Sequence, residues 1–198
     1  MQMPEDYEST QVGGDFTPPE VGGHYAVIKQ VNEKKSSTGL DMLVVLFDFD
    51  EKDKQKGYFM EMYKNDTRPD KKYPNDATNY MVVDKSSSYG TKNLKSFITC
   101  VENSNAGFKV KWGDNFCEQF KGKKIGCVFG RIIDFYNGEE HKKNGFRWFC
   151  STDKVATTEV PAEYETKAHK DNAKNISIAN NDGFMNIPDG IETELPFN

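Results

Sequence analysis

Two short runs of the chain each set a lysine pair among small hydrogen-bonding residues. They are Lys34 and Lys35 in NEKKSSTG (32–39), and Lys142 and Lys143 in NGEEHKKNG (137–145). Ammonium groups on loops are what phosphate oxygens require, and each phosphate they neutralise releases counterions. Flat rings supply a second component, because any planar base stacks on an aromatic face. Rings that share a run with cations are Phe59, Tyr63 and Tyr136, and Phe149 with Arg147. Tyr73 stands beside Lys71 and Lys72, and Arg131 adds a cation to KGKKIGCVFGRIIDFY (121–136). A solvated turn or a core ring explains any one of these alone, so only their coincidence is informative.

Other chemistries find no constellation. His24, His141 and His169 lie in unlike surroundings with no Ser or Cys motif beside them. The glycines form neither a phosphate loop nor a dinucleotide fingerprint. Asp48, Asp50 and Asp53 have a metal-like spacing, which a solvated strand end explains more simply. Cys100, Cys117, Cys127 and Cys150 lack CxxC spacing and sit in apolar runs, where Cys behaves as a small buried hydrophobe. No catalytic group, metal or cofactor is expected.

The elements that would position these residues follow from periodicity. GGHYAVIKQV (22–31) is a first strand, LDMLVVLFDF (40–49) a central second strand, and GYFMEMYK (57–64) a third with alternating faces. Residues 65–88 are too polar and Pro-interrupted for a core element. Leu94, Phe97, Ile98 and Val101 make one helical face. Trp112, Phe116 and Phe120 recur every four residues as a second short helix capped by Asp114, and all three are assigned to the core. Residues 121–136 and 146–151 are the fourth and fifth strands, with Trp148 inside. A helix between the third and fourth of five strands is the order of an OB-fold barrel, with an SH3-like barrel or a simple α+β sheet left open. Residues 1–20 read as a flexible N-terminal arm, 21–155 as the domain, and 156–198 as a disordered linker ending in an acidic tip.

At 198 residues the chain suits one domain with tails. Apolar residues reach only 36% while aromatics reach 13%, so part of the chain is expected to lie outside a packed core. The net charge of −5 is uneven. Residues 1–28 hold five acidic groups and no Lys or Arg; residues 29–155 hold 23 basic and 18 acidic groups; residues 156–198 hold three basic and eight acidic. A basic middle between acidic ends suits a polyanion partner. MQMPEDYEST is polar and acidic, unlike a signal peptide, and no run approaches a membrane span, so a reducing cytoplasm is expected.

The ending GFMNIPDGIETELPFN (183–198) places Asp189, Glu192 and Glu194 before Leu195, Pro196 and Phe197. It resembles the acidic Pro-Phe tip of bacterial single-stranded DNA-binding proteins, although Asn198 here follows the phenylalanine. GGHYAVIKQVNEKKSSTGLDMLVVLF, and FKGKKIGCVF with FYNGEEHKKNGFRWF, resemble a phage-encoded single-stranded DNA-binding family. The resemblance implies a non-enzymatic, cytoplasmic protein of a bacterial host that coats single-stranded DNA with little sequence preference. It also implies that the tip recruits replication or recombination proteins. An adaptor of a recombination complex, a strand-annealing protein and a homo-oligomer are left open.

Overall fold

In the computed structural model, which describes residues 17–84 and 88–172, the first alternating run becomes strand β1 (Gly22–Lys35). Gly22, His24, Ala26 and Ile28 are buried in turn, but the next buried residue is Val31, of the other parity. The register against β2 (Asp41–Phe49) shifts between Ile28 and Gln30. Lys29 is therefore an extra residue, a bulge, that returns Val31 to the core. On β2, Leu43, Val45, Phe47 and Phe49 enter the core, while Val44 and Asp48 are buried as well.

GYFMEMYK is not a strand. Residues Tyr58–Asn65 form helix α1, because buried Asp48 caps its first turn: Phe59 N–H donates to Oδ1 at 3.0 Å and Met60 N–H to Oδ2 at 3.3 Å. Gly57, at φ 69°, supplies the left-handed residue that turns the chain into it. The alternation of Tyr58, Met60 and Met62 is also compatible with a helix whose Phe59 and Met62 face inward, and the Asp48 carboxylate, reaching the helix's first turn from the end of β2, decides the matter.

The third strand lies instead inside the polar stretch, as β3 (Thr78–Val82), with Met81 inward and Tyr80 outward. Helix α2 (Ser88–Ser104) follows with Phe97 and Val101 fully buried, as its periodicity requires. The expected second helix shrinks to a 3-10 turn, Glu118–Phe120. Gly113, at φ 140°, breaks the run: Phe116 and Phe120 stay in the core, but Trp112 is 71% exposed. Strands β4 (Lys124–Tyr136) and β5 (Glu139–Cys150) follow, then a 3-10 segment Thr152–Thr157 and the two-residue β6 (Tyr164–Glu165). At Gly126 a Cβ would stand 2.6 Å from Cys150 Sγ and 2.7 Å from a Val155 methyl, so only glycine lets that segment seat.

The protein is mainly β. Among the described residues six strands form one open antiparallel sheet in the order β3-β2-β1-β4-β5, with β6 added parallel to β4. One aromatic-rich core runs through Phe47, Phe49, Phe59, Phe97, Phe120 and Phe129.

The chain divides into two compact units, at positions other than those expected from sequence. The first takes the described residues up to Arg131 together with Lys143–Glu163. The second takes Ile132–Lys142 and the described residues from Tyr164 onward. Within the second, Ile132 pairs with Tyr164 and Ile133 with Glu165, Thr166 donates to Asp134 at 2.6 Å, and residues 167–172 are helical. Within the stretch expected as a linker, Tyr164 and Glu165 therefore add a short strand to the edge of β4 and a helical segment follows it. The N-terminal boundary also moves: Pro19 is buried and its carbonyl accepts from Asn144 at 2.7 Å. Residues 1–16 and 173–198, including the tip residues Asp189 to Phe197, lie outside the described residues.

Candidate nucleic-acid interface

Strands β3 and β5 end the main path of the sheet, and a cleft of about 260 Å³ opens between residues of the two, with α2 beneath it. Its floor is apolar, from Met81, Phe97, Phe146 and Phe149; its polar groups are Asn79, Asn93 and Ser96. Two large rings stand on its rim, Tyr80 at 57% exposure and Trp148 at 43%. The Arg147 guanidinium lies 5.9 Å from the Trp148 ring centroid and is steadied by donating to the Ala162 carbonyl at 2.9 Å. An open ring with a guanidinium at its face is a platform for a flat, electron-rich partner beside a negative charge.

The residues singled out from sequence distribute unevenly. Phe59 is 1% exposed and packs on Phe47, Phe49 and Phe129, so it cannot stack a ligand. Phe149 is floor rather than platform, wedged among Phe47, Phe97 and Phe146 at centroid distances of 5.4, 5.6 and 4.7 Å. Tyr63 is half-buried, its face covered by Lys71 at 4.8 Å and its neighbour Tyr73 at 5.9 Å. Tyr73 acts as a strap: its hydroxyl donates to the Phe47 carbonyl at 2.8 Å, and burial, with Asp48 nearby, pushes its phenol well up. Lys72 is exposed. Trp148, expected in the core, is instead on the rim, with Arg147 lying over it.

The lysine pairs expected on loops lie on strands instead, Lys34 and Lys35 on β1 and Lys142 and Lys143 on β5, with Arg131 on β4; these cations are exposed and mostly paired. Lys35 bridges to Asp41, Arg131 to Glu163 at 3.4 Å, and Lys143 to Asp76 at 2.9 Å. On the second unit Lys142 pairs with Glu140 at 3.3 Å, and Tyr136 is 66% exposed. Lys34 is exposed at the end of β1. Exposed pairs of this kind are worth about 0–1 kcal/mol, so a phosphate can exchange for the carboxylate at small cost.

The aspartates are not a solvated strand end. Asp48 is 1% exposed and burial pushes its carboxyl up against the pull of the Phe59, Phe49 and Met60 N–H groups and Lys29. Asp53 is held by His24, Tyr25 and Gln55, and Asp50 faces Lys124 at 3.7 Å. These carboxylates are committed to the fold. Among the described residues no group of three or more His, Cys, Asp or Glu is placed to hold a metal ion, and no helix is long and apolar enough to cross a membrane.

Sequence reasoning missed Tyr80, Asn79 and Asn93. The signal for Tyr80 was the alternation in TNYMV, masked by the polar residues on either side. No protein-family model matches the chain, and no curated protein is similar enough to it to count as a relative.

Proposed function

We propose that the protein binds single-stranded DNA non-enzymatically, with little sequence preference, by stacking bases on Tyr80 and Trp148 along the cleft between β3 and β5. The observation that carries this reading is the pair of exposed rings on one polar cleft, with Arg147 against one of them. Stacking is blind to base identity, and Asn79, Asn93 and Ser96 offer hydrogen bonds to whatever edge or sugar arrives. Duplex bases are already stacked on each other and present no free face, which favours single strands.

The strand order supports a barrel of the OB type. A central β1 flanked by β2 and β4, and a helix between β3 and β4, is the connectivity of a five-stranded Greek-key barrel left open between β3 and β5. In such a barrel the β1–β2 loop, which Lys34 and Lys35 precede at the end of β1, borders the bound strand. The acidic tip, Asp189, Glu192, Glu194, Leu195, Pro196 and Phe197, is read as a recruitment peptide for replication or recombination enzymes of a bacterial host. Its ring would anchor it and its carboxylates would steer it to a basic rim.

The test is fluorescence anisotropy of labelled oligo-dT at low and moderate salt, with duplex DNA as competitor, for the intact chain and for Tyr80→Ala/Trp148→Ala. Salt-sensitive binding that duplex does not displace, lost in the double variant, is the expected result. No binding at low salt, or full binding by the double variant, would overturn the proposal.

A further inference from the structure

Trp112 projects from the surface at 71% exposure, yet the segment that carries it is fixed. Gln119 accepts the Lys111 N–H at 2.8 Å and donates to the carbonyls of Lys111 and Phe116 at 2.7 and 2.8 Å. Glu102 accepts the Val110 N–H at 3.0 Å and pairs with Lys109 at 2.7 Å. The indole lies flat over Phe116, with 5.0 Å between centroids and 14° between planes, and Phe116 is itself buried. One face of the indole is seated and the rest is open. A ring held in this way needs little ordering before it can stack a partner.

Beside it is a hollow of about 370 Å³, walled by Met42, Val83 and Leu94, with Lys34 on the rim. Lys111 borders a second hollow that Trp112 also lines. Glu33 and Asp41 also reach the first rim, and Asp41 is already paired with Lys35. The hollow adjoins the Tyr80–Trp148 cleft along the seam of β3 and α2. Met81 lines one and Val83 the other; Asn93 lines one and Leu94 the other.

We infer that Trp112 is a second base-stacking station, met by a single DNA strand after it leaves the Tyr80–Trp148 cleft, with Lys34 and Lys111 on the intervening phosphates. This rests on the single-strand reading. It gives Lys34 a phosphate that the first cleft alone does not supply. It also means that a short oligonucleotide engages one station and a longer one both.

The chain has two tryptophans, so fluorescence separates the stations. In Trp148→Phe protein the sole indole is Trp112, and in Trp112→Phe protein it is Trp148. An oligo-dT of about 16 nucleotides is expected to quench both single-tryptophan proteins, and one of about four to quench only Trp148. Trp112→Ala, checked for an unchanged circular dichroism spectrum and Tm, should weaken the longer oligomer about tenfold and leave the shorter one unchanged. Trp112 emission that does not respond to the long oligomer, while Trp148 is quenched, overturns the second station and leaves the first standing. Equal weakening at both lengths also overturns it. Silence of both indoles at low salt removes the single-strand reading as well.

Discussion

His24 Nδ1 lies 3.2 Å from both carboxylate oxygens of Asp53, inside a pair whose side chains are 6% and 5% exposed. The other ring nitrogen sits 2.9 Å from the Glu20 carbonyl, and the ring is stacked on Phe49 at 4.3 Å. Both nitrogens therefore face acceptors, which suits the imidazolium. Burial lowers the His24 pKa, but the Asp53 bond and the Glu20 carbonyl outweigh it, and the net direction is up from 6.5. Asp53 is pushed up by burial and pulled further down by His24 and the Gln55 and Tyr25 N–H groups, ending below 3.8.

The pair sets a pH window for stability. A raised His24 pKa contributes stability that is complete below about 6.5 and lost as pH rises through the folded value; a lowered Asp53 pKa contributes stability present above about 3.8 and lost as pH falls through its folded value. The pair's contribution is therefore largest between those two pH values. Asp53→Ala should cost about 3–5 kcal/mol, because it strands a buried imidazolium, and should flatten the acid and alkaline shoulders of Tm against pH. A variant with the same shoulders as the parent would remove the pair from the pH response.

Asp48 is expected to hold α1 in place. Asp48→Ala leaves the first-turn N–H groups of α1 without their acceptor and should destabilise by about 2 kcal/mol in urea unfolding. Oligo-dT affinity of the folded protein should be unchanged. A variant as stable as the parent would mean that α1 is held by Phe59 packing alone.

Ring for ring, Phe59 and Trp148 should separate stability from binding. Phe59→Ala opens a core cavity and should cost about 3–5 kcal/mol of stability. Trp148→Ala removes a rim ring, should shift stability by less than about 0.5 kcal/mol, and should weaken oligo-dT by about 1–3 kcal/mol. Anisotropy and chemical denaturation on the same two proteins decide it. A Trp148→Ala protein that binds like the parent would take that ring out of the interface.

Salt should weaken binding in proportion to the phosphates contacted. The log–log slope is expected to be about −0.7 per phosphate, and Lys34→Ala should make it shallower by about that amount. An unchanged slope would place Lys34 away from the strand.

Deleting residues 183–198 should leave oligo-dT binding intact or stronger while abolishing capture of a host replication enzyme. Lost DNA binding in the truncated chain would tie the tip to the fold.

Much of the sheet was legible because its signals are local. Residues 22–31 and 40–49 carry their own alternation, and Leu94, Phe97, Ile98 and Val101 their own helical face. What was not legible depends on residues far apart in the chain. Tyr58–Asn65 reads equally as strand or helix until Asp48 reaches its first turn. β3 takes its strand character from pairing with β2, since TNYMV is short and its flanks are polar. The candidate site failed to show for a related reason. Whether Trp148 is core or rim depends on which strands stand at the edge of the sheet, and that follows from the pairing order. Trp112 keeps the four-residue spacing of Phe116 and Phe120, yet Gly113 turns the backbone between them and sends the indole outward.

The bulge in β1 also determines which length changes the strand tolerates. Before Lys29 the residue numbers of each β1–β2 partner pair share one constant sum, and after it the sum is greater by one, so Lys29 is the residue the register does not need. A chain lacking Lys29 would keep Ile28 and Val31 on the inner face as ordinary alternating neighbours. Losing a residue from the bulge-free part of the strand, between Gly23 and Ile28, would instead turn an inward set outward. Homologous strands one residue shorter should therefore carry their gap at Lys29, which gives a fixed point for aligning sequences too divergent to match elsewhere.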